Sequence, residues 1–306
     1  MQRLLLPLAV ACLAGPLAVL AQDPQTTFKS ETDLVVLHVN VFDGRSDAVP
    51  NLPQSAFRVF EDDKVQDITF FSGADVPVAV GLILDSSGSM ISRERMVFAG
   101  SAAFARSSHP EDELFTIQFN ENVKYGLPPG VHFTSTSSLL HAALATYRPA
   151  GRTALHDAVV AGLEHLELAT HQKRVLLVLS DGEDNASRHS EDQMIDRARN
   201  SDAIIYTVSN ANRRIGTAGN AGVLRKLANV TGGVAYFPES DDKVVESFDE
   251  IANNIRRGYS LGYVPTNSAH DGGFRRVKVM VLMPGRNNLT VRARDGYRTA
   301  DHDRAR

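Results

Sequence analysis

Hydrophobic and polar positions follow different patterns in successive parts of the chain. Between residues 34 and 42, apolar residues alternate with polar neighbours such as His38 and Asn40, which is the period-two pattern of a half-buried strand. Short β-like segments recur at 57–60 and 65–71, separated by a polar turn. The N-terminal flank therefore predicts β-strands and no helix.

The middle of the chain alternates between buried strands and helices. Residues 78–84 are almost wholly apolar, as expected of a strand that is covered on both faces. The segments predicted as helices are 93–107, 153–168, 190–199, 221–230 and 241–257, and those predicted as further strands are 114–119, 175–179, 203–208 and 233–237. Asn120-Glu121 predicts one antiparallel hairpin at the sheet edge. This alternation predicts an α/β unit with a doubly wound, mostly parallel sheet over residues 76–257.

The C-terminal flank returns to a β pattern. Residues 277–281 and 289–293 each alternate apolar and polar side chains around Pro284-Gly285, which predicts a hairpin. Neither flank alone has enough strands to enclose a core, because isolated hairpins are marginal in water. The two ends of a doubly wound unit lie close together, so it can be inserted into another domain. We therefore expect residues 30–75 and 258–300 to form one small β-sandwich that carries the α/β unit as an insertion.

Composition and charge exclude several classes of protein. Of the 306 residues, 43% are hydrophobic and 22% are charged, which indicates an ordered globular protein rather than a disordered or low-complexity chain. Lys and Arg number 32 against 36 Asp and Glu. The slightly negative balance gives no general attraction to nucleic acid or anionic lipid. We therefore expect no nucleic-acid partner.

The N-terminus resembles a secretory signal. Arg3 precedes an apolar run over residues 4–20, and small residues then lead to Ala21, the pattern of a signal peptide and its cleavage site. Two prolines and the short run argue against the alternative, a membrane anchor. We predict a signal peptide at 1–21, a secreted, periplasmic or cell-envelope location, and no stable membrane insertion after cleavage. Cleavage would also remove Cys12, the only cysteine, so the mature fold would contain no disulfide.

Candidate chemistry begins where the first α/β strand ends. Asp85, Ser87 and Ser89 form an Asp-x-Ser-x-Ser pattern between a predicted strand and helix. Alternate residues of an extended loop project to one side, and Gly88 permits a tight bend. One carboxylate and two hydroxyls can therefore face one point, and oxygen ligands suit a hard cation.

Two further candidates belong to the same edge of the sheet. Thr153 stands at the start of a predicted helix and Asp181 follows a central strand. Ligands bind outside the carboxyl ends of the strands in open α/β sheets. A lone Ser89 also fits a helix cap, and a lone Asp181-Gly182 fits a turn, but the joint occurrence of the three fragments favours a site.

These motifs resemble the metal-ion-dependent adhesion site of von Willebrand factor type A (VWA) domains. The three fragments occur in the family's order, and each lies on its expected loop over about 76–257. The flanks, with Phe57-Arg58-Val59-Phe60-Glu61-Asp62 and Tyr259-Ser260-Leu261-Gly262-Tyr263, resemble secreted bacterial proteins described as VWFA-related. The resemblance implies a Rossmann-like fold and a Mg²⁺ site formed by Asp85, Ser87, Ser89, Thr153 and Asp181, with Asp181 often acting through water. Mn²⁺ or Ca²⁺ could replace Mg²⁺.

The implied function is adhesion-type protein binding without catalysis. Two carboxylates at most neutralise a divalent ion, and Mg²⁺ keeps several exchangeable waters. An Asp or Glu of a partner protein could replace one of them. The leading hypothesis is therefore a secreted, metal-dependent protein-binding module.

Two alternatives stay open at this point. A metal-assisted hydrolase would need a general base, and the available residues are Glu183, Asp184 and His189. A structural envelope protein would use the metal only for stability. Glu183-Asp184 also fits a solvated acidic turn rather than a second cation site, and His156-Asp157 fits packing and surface roles because adjacent helix residues do not face each other.

Overall fold

The secondary structure follows the predicted order of strands and helices. A computed structural model describes residues 34–44, 47–73, 75–209, 219–286 and 288–299, with only the backbone of Asp241. The predicted signal peptide and residues 30–33, 45–46, 74, 287 and 300 of the predicted sandwich lie outside them. The strands are β1 (Val35–Phe42), β2 (Phe57–Glu61), β3 (Lys64–Gln66), β4 (Ile68–Ser72), β5 (Ala79–Asp85), β6 (Glu113–Phe119), β7 (Val123–Tyr125), β8 (Arg174–Ser180), β9 (Ile204–Ser209), β10 (Ala235–Tyr236), β11 (Tyr259–Tyr263), β12 (Phe274–Val281), β13 (Thr290–Arg292) and β14 (Gly296–Arg298). The helices are α1 (Glu94–Arg106), α2 (Ser137–Leu144), α3 (Leu155–Leu166), α4 (Glu191–Arg199), α5 (Ala221–Thr231) and α6 (Asp241–Arg257), with short 3-10 helices at Gln54–Ala56 and Gly88–Arg93.

The central sheet has the strand order β10-β9-β8-β5-β6-β7. All described pairs in it are parallel except β6 with β7, where Phe119 opposes Val123. Every residue of β5 is buried, which explains its apolar sequence, because helices cover both faces of the sheet. The predicted α/β class and the antiparallel edge hairpin are confirmed.

Helices pack on both faces of this sheet. α1 and α6 cover one face, and α3, α4 and α5 cover the other. In α6, Val244, Phe248, Ile251 and Ile255 are buried, and their spacing of three or four residues puts them on one side of the helix. α2 was not predicted, because its short, serine-rich segment carries little helical periodicity.

Both chain ends contribute to a β-sandwich, as predicted. One sheet has the order β13-β1-β11-β4 and the other has the order β14-β12-β2-β3. Leu37 opposes Leu261 in the first sheet and Val59 opposes Val279 in the second. Three of these four side chains are fully buried and the fourth, Val279, is partly buried against the same core. Strands before and after the α/β unit thus form one core.

Two details of the predicted sandwich were wrong. The segment 65–71 is two strands, not one, since β3 pairs with β2 and β4 pairs with β11 in the opposite sheet. Segments 277–281 and 289–293 do not form a hairpin, because β12 pairs with β2 and β14 while β13 pairs with β1. In both cases the chain crosses between the sheets. Apolar side chains of β4 and β13 from one sheet and of β12 from the other meet in one core.

The polar face of β1 is covered rather than exposed. His38 and Asn40 are buried, and Asn40 Nδ2 donates to the Tyr206 hydroxyl of β9 at 2.9 Å. Arg294 of the C-terminal flank pairs with Asp202 at 3.0 Å. The α/β unit therefore covers the face of β1 that the sequence pattern assigned to solvent.

The first and last segments of the α/β unit meet at a buried ion pair. Arg256, in the last turn of α6, pairs with Asp112, whose side chain is fully buried. Asp112 Oδ1 also accepts from the Val78 amide at 2.9 Å, and Arg256 Nη1 donates to the Val76 carbonyl at 3.2 Å. The entry and exit of the α/β unit are thus joined, which is the arrangement expected of an inserted unit.

Within the described ranges, no helix combines the length and the apolar character that crossing a membrane requires.

Candidate metal centre

The candidate residues lie on three loops at the carboxyl edge of the central sheet. Asp85 ends β5, and Asp181 directly follows β8, the neighbouring parallel strand. The register pairs Leu84 with Leu179, and the Ser180 hydroxyl donates to Asp85 Oδ2 at 2.8 Å. Parallel pairing of β5 with β8 therefore places the two candidate carboxylates side by side at one edge.

A chain of contacts connects four of the five candidate residues. Asp85 Oδ1 accepts from the Ser87 amide at 2.9 Å. The Ser87 and Ser89 hydroxyls are 3.1 Å apart, and Ser89 Oγ donates to Asp181 Oδ2 at 3.5 Å. Ser89 is exposed, whereas Asp85, Ser87 and Asp181 are buried. The group is thus a buried cluster of oxygen atoms that reaches the surface at Ser89.

Thr153 reaches the same edge through its loop. The Gly88 amide donates to the Gly151 carbonyl at 3.0 Å, and the Ala150 amide donates to the Ser86 carbonyl at 2.8 Å. Thr153 is 6% exposed. Its amide and carbonyl are both hydrogen-bonded to the loop after Asp181, while its hydroxyl has no protein partner among the described residues. The structure therefore joins all three predicted loops.

Backbone conformation at Gly182 keeps Asp181 in place. Gly182 has φ +85°, and a Cβ there would lie 2.4 Å from the Asn220 carbonyl oxygen. Only glycine fits both the left-handed conformation and this close approach. The Asp181-Gly182 pair thus supplies a carboxylate and the sharp turn that follows it.

The two buried carboxylates have no positive charge paired with them among the described residues. Burial raises the pKa of Asp85 to about 6, and the charge of Asp181 adds to the increase. Among the described residues, no Lys, Arg or His forms an ion pair with either carboxylate. Buried charges in proteins are normally paired or coordinate metals. Asp85 and Asp181 therefore fit a bound cation.

The donor set also limits which cations fit. The described residues contain no group of three or more His, Cys, Asp or Glu side chains that could hold a metal ion. The present cluster instead combines two carboxylates with three hydroxyls. Oxygen-only sets suit Mg²⁺, Mn²⁺ or Ca²⁺ rather than metals that prefer nitrogen or sulfur.

Of the three residues considered as a general base, two are hydrogen-bonded to the start of α3 and the third is exposed. Asp184 Oδ2 accepts from the His156 amide at 3.0 Å. His189 Nδ1 lies 2.7 Å from Asp157 Oδ1. Glu183 is exposed. His156 and Asp157, interpreted from the sequence as packing and surface residues, both form specific hydrogen bonds with the loop after Asp181.

Two supporting residues were missed by the sequence analysis. Ser180 donates to Asp85, and the Tyr147 hydroxyl donates to the Asp85 backbone carbonyl. Ser180 could have been noticed because it is a polar residue at the end of a buried strand, next to Asp181. Tyr147 gives no such signal, because it is 62 residues from Asp85 in the sequence.

Comparisons with known proteins identify the family and the fold. The family model described as the von Willebrand factor type A domain matches residues 80–251. The solved structure of von Willebrand factor type A from Catenulispora acidiphila aligns with a TM-score of 0.53 at 13% identity, covering 90% of this chain and 76% of that one. A search of the curated proteins found no match.

Two other solved structures share the fold at similarly low sequence identity. The PilB minor pilin from Streptococcus sanguinis gives a TM-score of 0.50 at 12% identity, covering 60% of this chain and 62% of that chain. Proximal thread matrix protein 1 from the mussel byssus gives a TM-score of 0.50 at 16% identity, covering 62% of this chain and 49% of that chain. VWA domains are typically protein-interaction modules and are generally not enzymes. The family model matches more than half of the length of this chain, which therefore belongs to the von Willebrand factor type A domain family.

Proposed function

We propose that this protein is a secreted, metal-dependent protein-binding module of the adhesion type. Asp85, Ser87, Ser89, Thr153 and Asp181 would hold one Mg²⁺ ion, with Mn²⁺ or Ca²⁺ as possible substitutes. The observation that carries the proposal is the pair of buried carboxylates, which has three neighbouring or loop-linked hydroxyls and no cationic side chain paired with it in the described part of the chain.

The charge balance of the cluster supports recognition of an acidic side chain. A bound Mg²⁺ would supply a Lewis-acidic position that accepts a carboxylate oxygen, because Mg²⁺ demands six ligands and usually keeps several exchangeable waters. Asp85 and Asp181 can at most neutralise the ion, and the hydroxyls add no charge. The exposed Ser89 marks the side from which an Asp or Glu of a partner protein would approach.

The surroundings of the cluster support binding rather than hydrolysis. A hydrolase needs a general base within hydrogen-bonding reach of the attacked group. Asp184 and His189 are already engaged with the start of α3. The exposed Glu183 donates its amide to Asp181 Oδ1 at 3.0 Å, and its carboxylate has no hydrogen-bond partner among the described residues. The predicted signal peptide supports a secreted, periplasmic or cell-envelope location.

Selection from a displayed library of random peptides tests this function. The immobilised protein should enrich peptides that contain Asp or Glu in Mg²⁺ and none of them in chelator. Exchanging that residue for Asn or Gln should abolish capture of the peptide. Capture that persists in chelator would contradict the proposal, and a melting temperature that rises with metal without any acidic peptide being selected would favour a structural role.

Two variants of Thr153 sharpen the same experiment. Thr153→Val removes the hydroxyl at nearly constant shape and should reduce capture of the selected peptide to background. Thr153→Ser keeps the hydroxyl and should retain capture within a few-fold. Both variants should show the circular dichroism spectrum of the wild type, since the hydroxyl has no hydrogen-bond partner among the described residues.

A further inference from the structure

The loop after Asp181 and the first turn of α3 each donate backbone amides to side chains of the other. From the helix, Asp157 accepts from the amides of Arg188 at 3.0 Å and His189 at 2.9 Å. Burial acts to raise the pKa of Asp157, but these hydrogen bonds outweigh it, so the pKa lies below its ordinary value. Asp157 therefore carries a charge that fixes two amides of the loop.

The loop in turn caps the helix. The N-cap residue Ala154 has no side-chain oxygen and makes no side-chain cap. The first amides of a helix lack partners within it. Asp184 accepts from the His156 amide at 3.0 Å and the Ser187 hydroxyl accepts from the Asp157 amide at 3.1 Å. A distant loop thus replaces the missing cap.

The same loop holds the backbone of Thr153 on both sides. Asn185 Oδ1 accepts from the Thr153 amide at 3.0 Å, and the Asn185 amide donates to the Thr153 carbonyl at 2.9 Å. Thr153 and Asp181 are therefore attached to one piece of structure. We call the segments 153–157 and 184–189 the interlock.

We propose that Asp157 is a positioning residue which, through the interlock, holds Thr153 and Asp181 in one arrangement before any metal binds. This inference rests on the proposed metal site. Among the described residues, no hydrogen bond joins the Asp157 side chain to a candidate ligand. Its effect passes through residues 184–189 to Asn185, whose amide and Oδ1 are hydrogen-bonded to the Thr153 backbone. Ligands held in place in advance bind a metal more tightly, because less order must be imposed on binding.

Titration of the full-length protein with Mn²⁺ by calorimetry tests the effect on affinity. Asp157→Ala should weaken Mn²⁺ binding by about ten-fold, the lower end of the range for residues that orient metal ligands. Asp157→Asn keeps one acceptor oxygen and should recover part of this loss. Asp271→Ala is the matched control, since Asp271 also accepts a backbone amide, that of Gly273 at 2.8 Å, but lies in the sandwich.

Amide hydrogen exchange in the metal-free protein gives an independent measurement. We expect the Thr153 amide to exchange at least about ten-fold faster in Asp157→Ala than in the wild type, because opening of the loop exposes it. The Asp271→Ala variant should leave this rate unchanged. If Asp157→Ala merely destabilised the whole protein, the exchange rates of slowly exchanging core amides, such as those of β5, would rise as much as that of Thr153.

The outcomes separate this inference from the proposed function. If the wild type binds no Mn²⁺ but Thr153 exchange accelerates, the metal site fails and the interlock stands as a structural feature only, so the positioning role is overturned. If the wild type binds Mn²⁺ and Asp157→Ala binds equally well with unchanged Thr153 exchange, the inference is wrong while the metal site stands.

Discussion

Replacing Asp85 by asparagine should reduce Mn²⁺ affinity by more than about 100-fold. Asparagine has nearly the same shape, so the change removes one of only two charges in the cluster. Substitutions of residues that merely support metal ligands already cost 10–100-fold in affinity, and a charged ligand should cost more. Calorimetric titration of wild type and variant at one pH measures the effect.

A neighbouring substitution provides the control for Asp85. Ser86 lies in the same loop and is also buried, but its described hydrogen bonds use only its backbone: its amide donates to Phe119 and its carbonyl accepts from Ala150. Ser86→Ala should therefore bind Mn²⁺ as the wild type does. If Asp85→Asn and Ser86→Ala bind equally well, Asp85 is not a ligand and the proposed site is wrong.

Replacing Arg256 by methionine should lower the free energy of unfolding by about 3–5 kcal/mol, the cost of leaving a buried charge unpaired. Asp112 has a fully buried side chain, and without Arg256 its only hydrogen-bond partners among the described residues would be the amides of Val78 and His109. Chemical denaturation in the presence of chelator measures the loss without a contribution from metal binding.

An exposed ion pair and a double variant distinguish this effect from general damage. Arg197 pairs with Glu167 at 2.5 Å, with side chains 36% and 60% exposed, so Arg197→Met should cost less than about 1 kcal/mol. Adding Asp112→Asn to Arg256→Met should recover part of the loss, because the unpaired charge is then removed. Equal losses for Arg256→Met and Arg197→Met would show that the buried pair does not join the ends of the α/β unit.

The sequence was sufficient to predict the central sheet and the loops that meet at its carboxyl edge. Residues 78–84 are apolar because β5 is covered on both faces, and such a strand followed by Asp-x-Ser-x-Ser can be recognised locally. The carboxyl ends of neighbouring parallel strands share one edge. For this reason Asp85 and Asp181, 96 positions apart, could be expected together from their positions after strands alone.

Pairing between distant segments could not be predicted in the same way. Alternation identified residues 277–281 and 289–293 as strands, but the same pattern fits either sheet of a sandwich, so their partners were assigned wrongly. The half-buried pattern of β1 suggested that His38 and Asn40 face solvent, but both are buried. Alternation shows that the two faces of a strand differ in polarity, and it does not show whether another part of the protein covers the polar face.

The supporting shell of the site was likewise hidden from the sequence. Asp157 and His189 are 32 residues apart, and acidic residues near a turn or helix start are common on solvated surfaces. Ala154 cannot cap α3, and the free amides of that helix are satisfied by Asp184 and Ser187 of the distant loop. Such an exchange is visible only when the two segments are seen together.

Anomalous scattering from a crystal grown with Mn²⁺ tests the central claim most directly. Data collected near the manganese absorption edge should give one strong peak in contact with the hydroxyls of Ser87, Ser89 and Thr153, between the carboxylates of Asp85 and Asp181. The absence of a peak among these five residues, or a peak at Glu183 and Asp184 instead, would contradict the account.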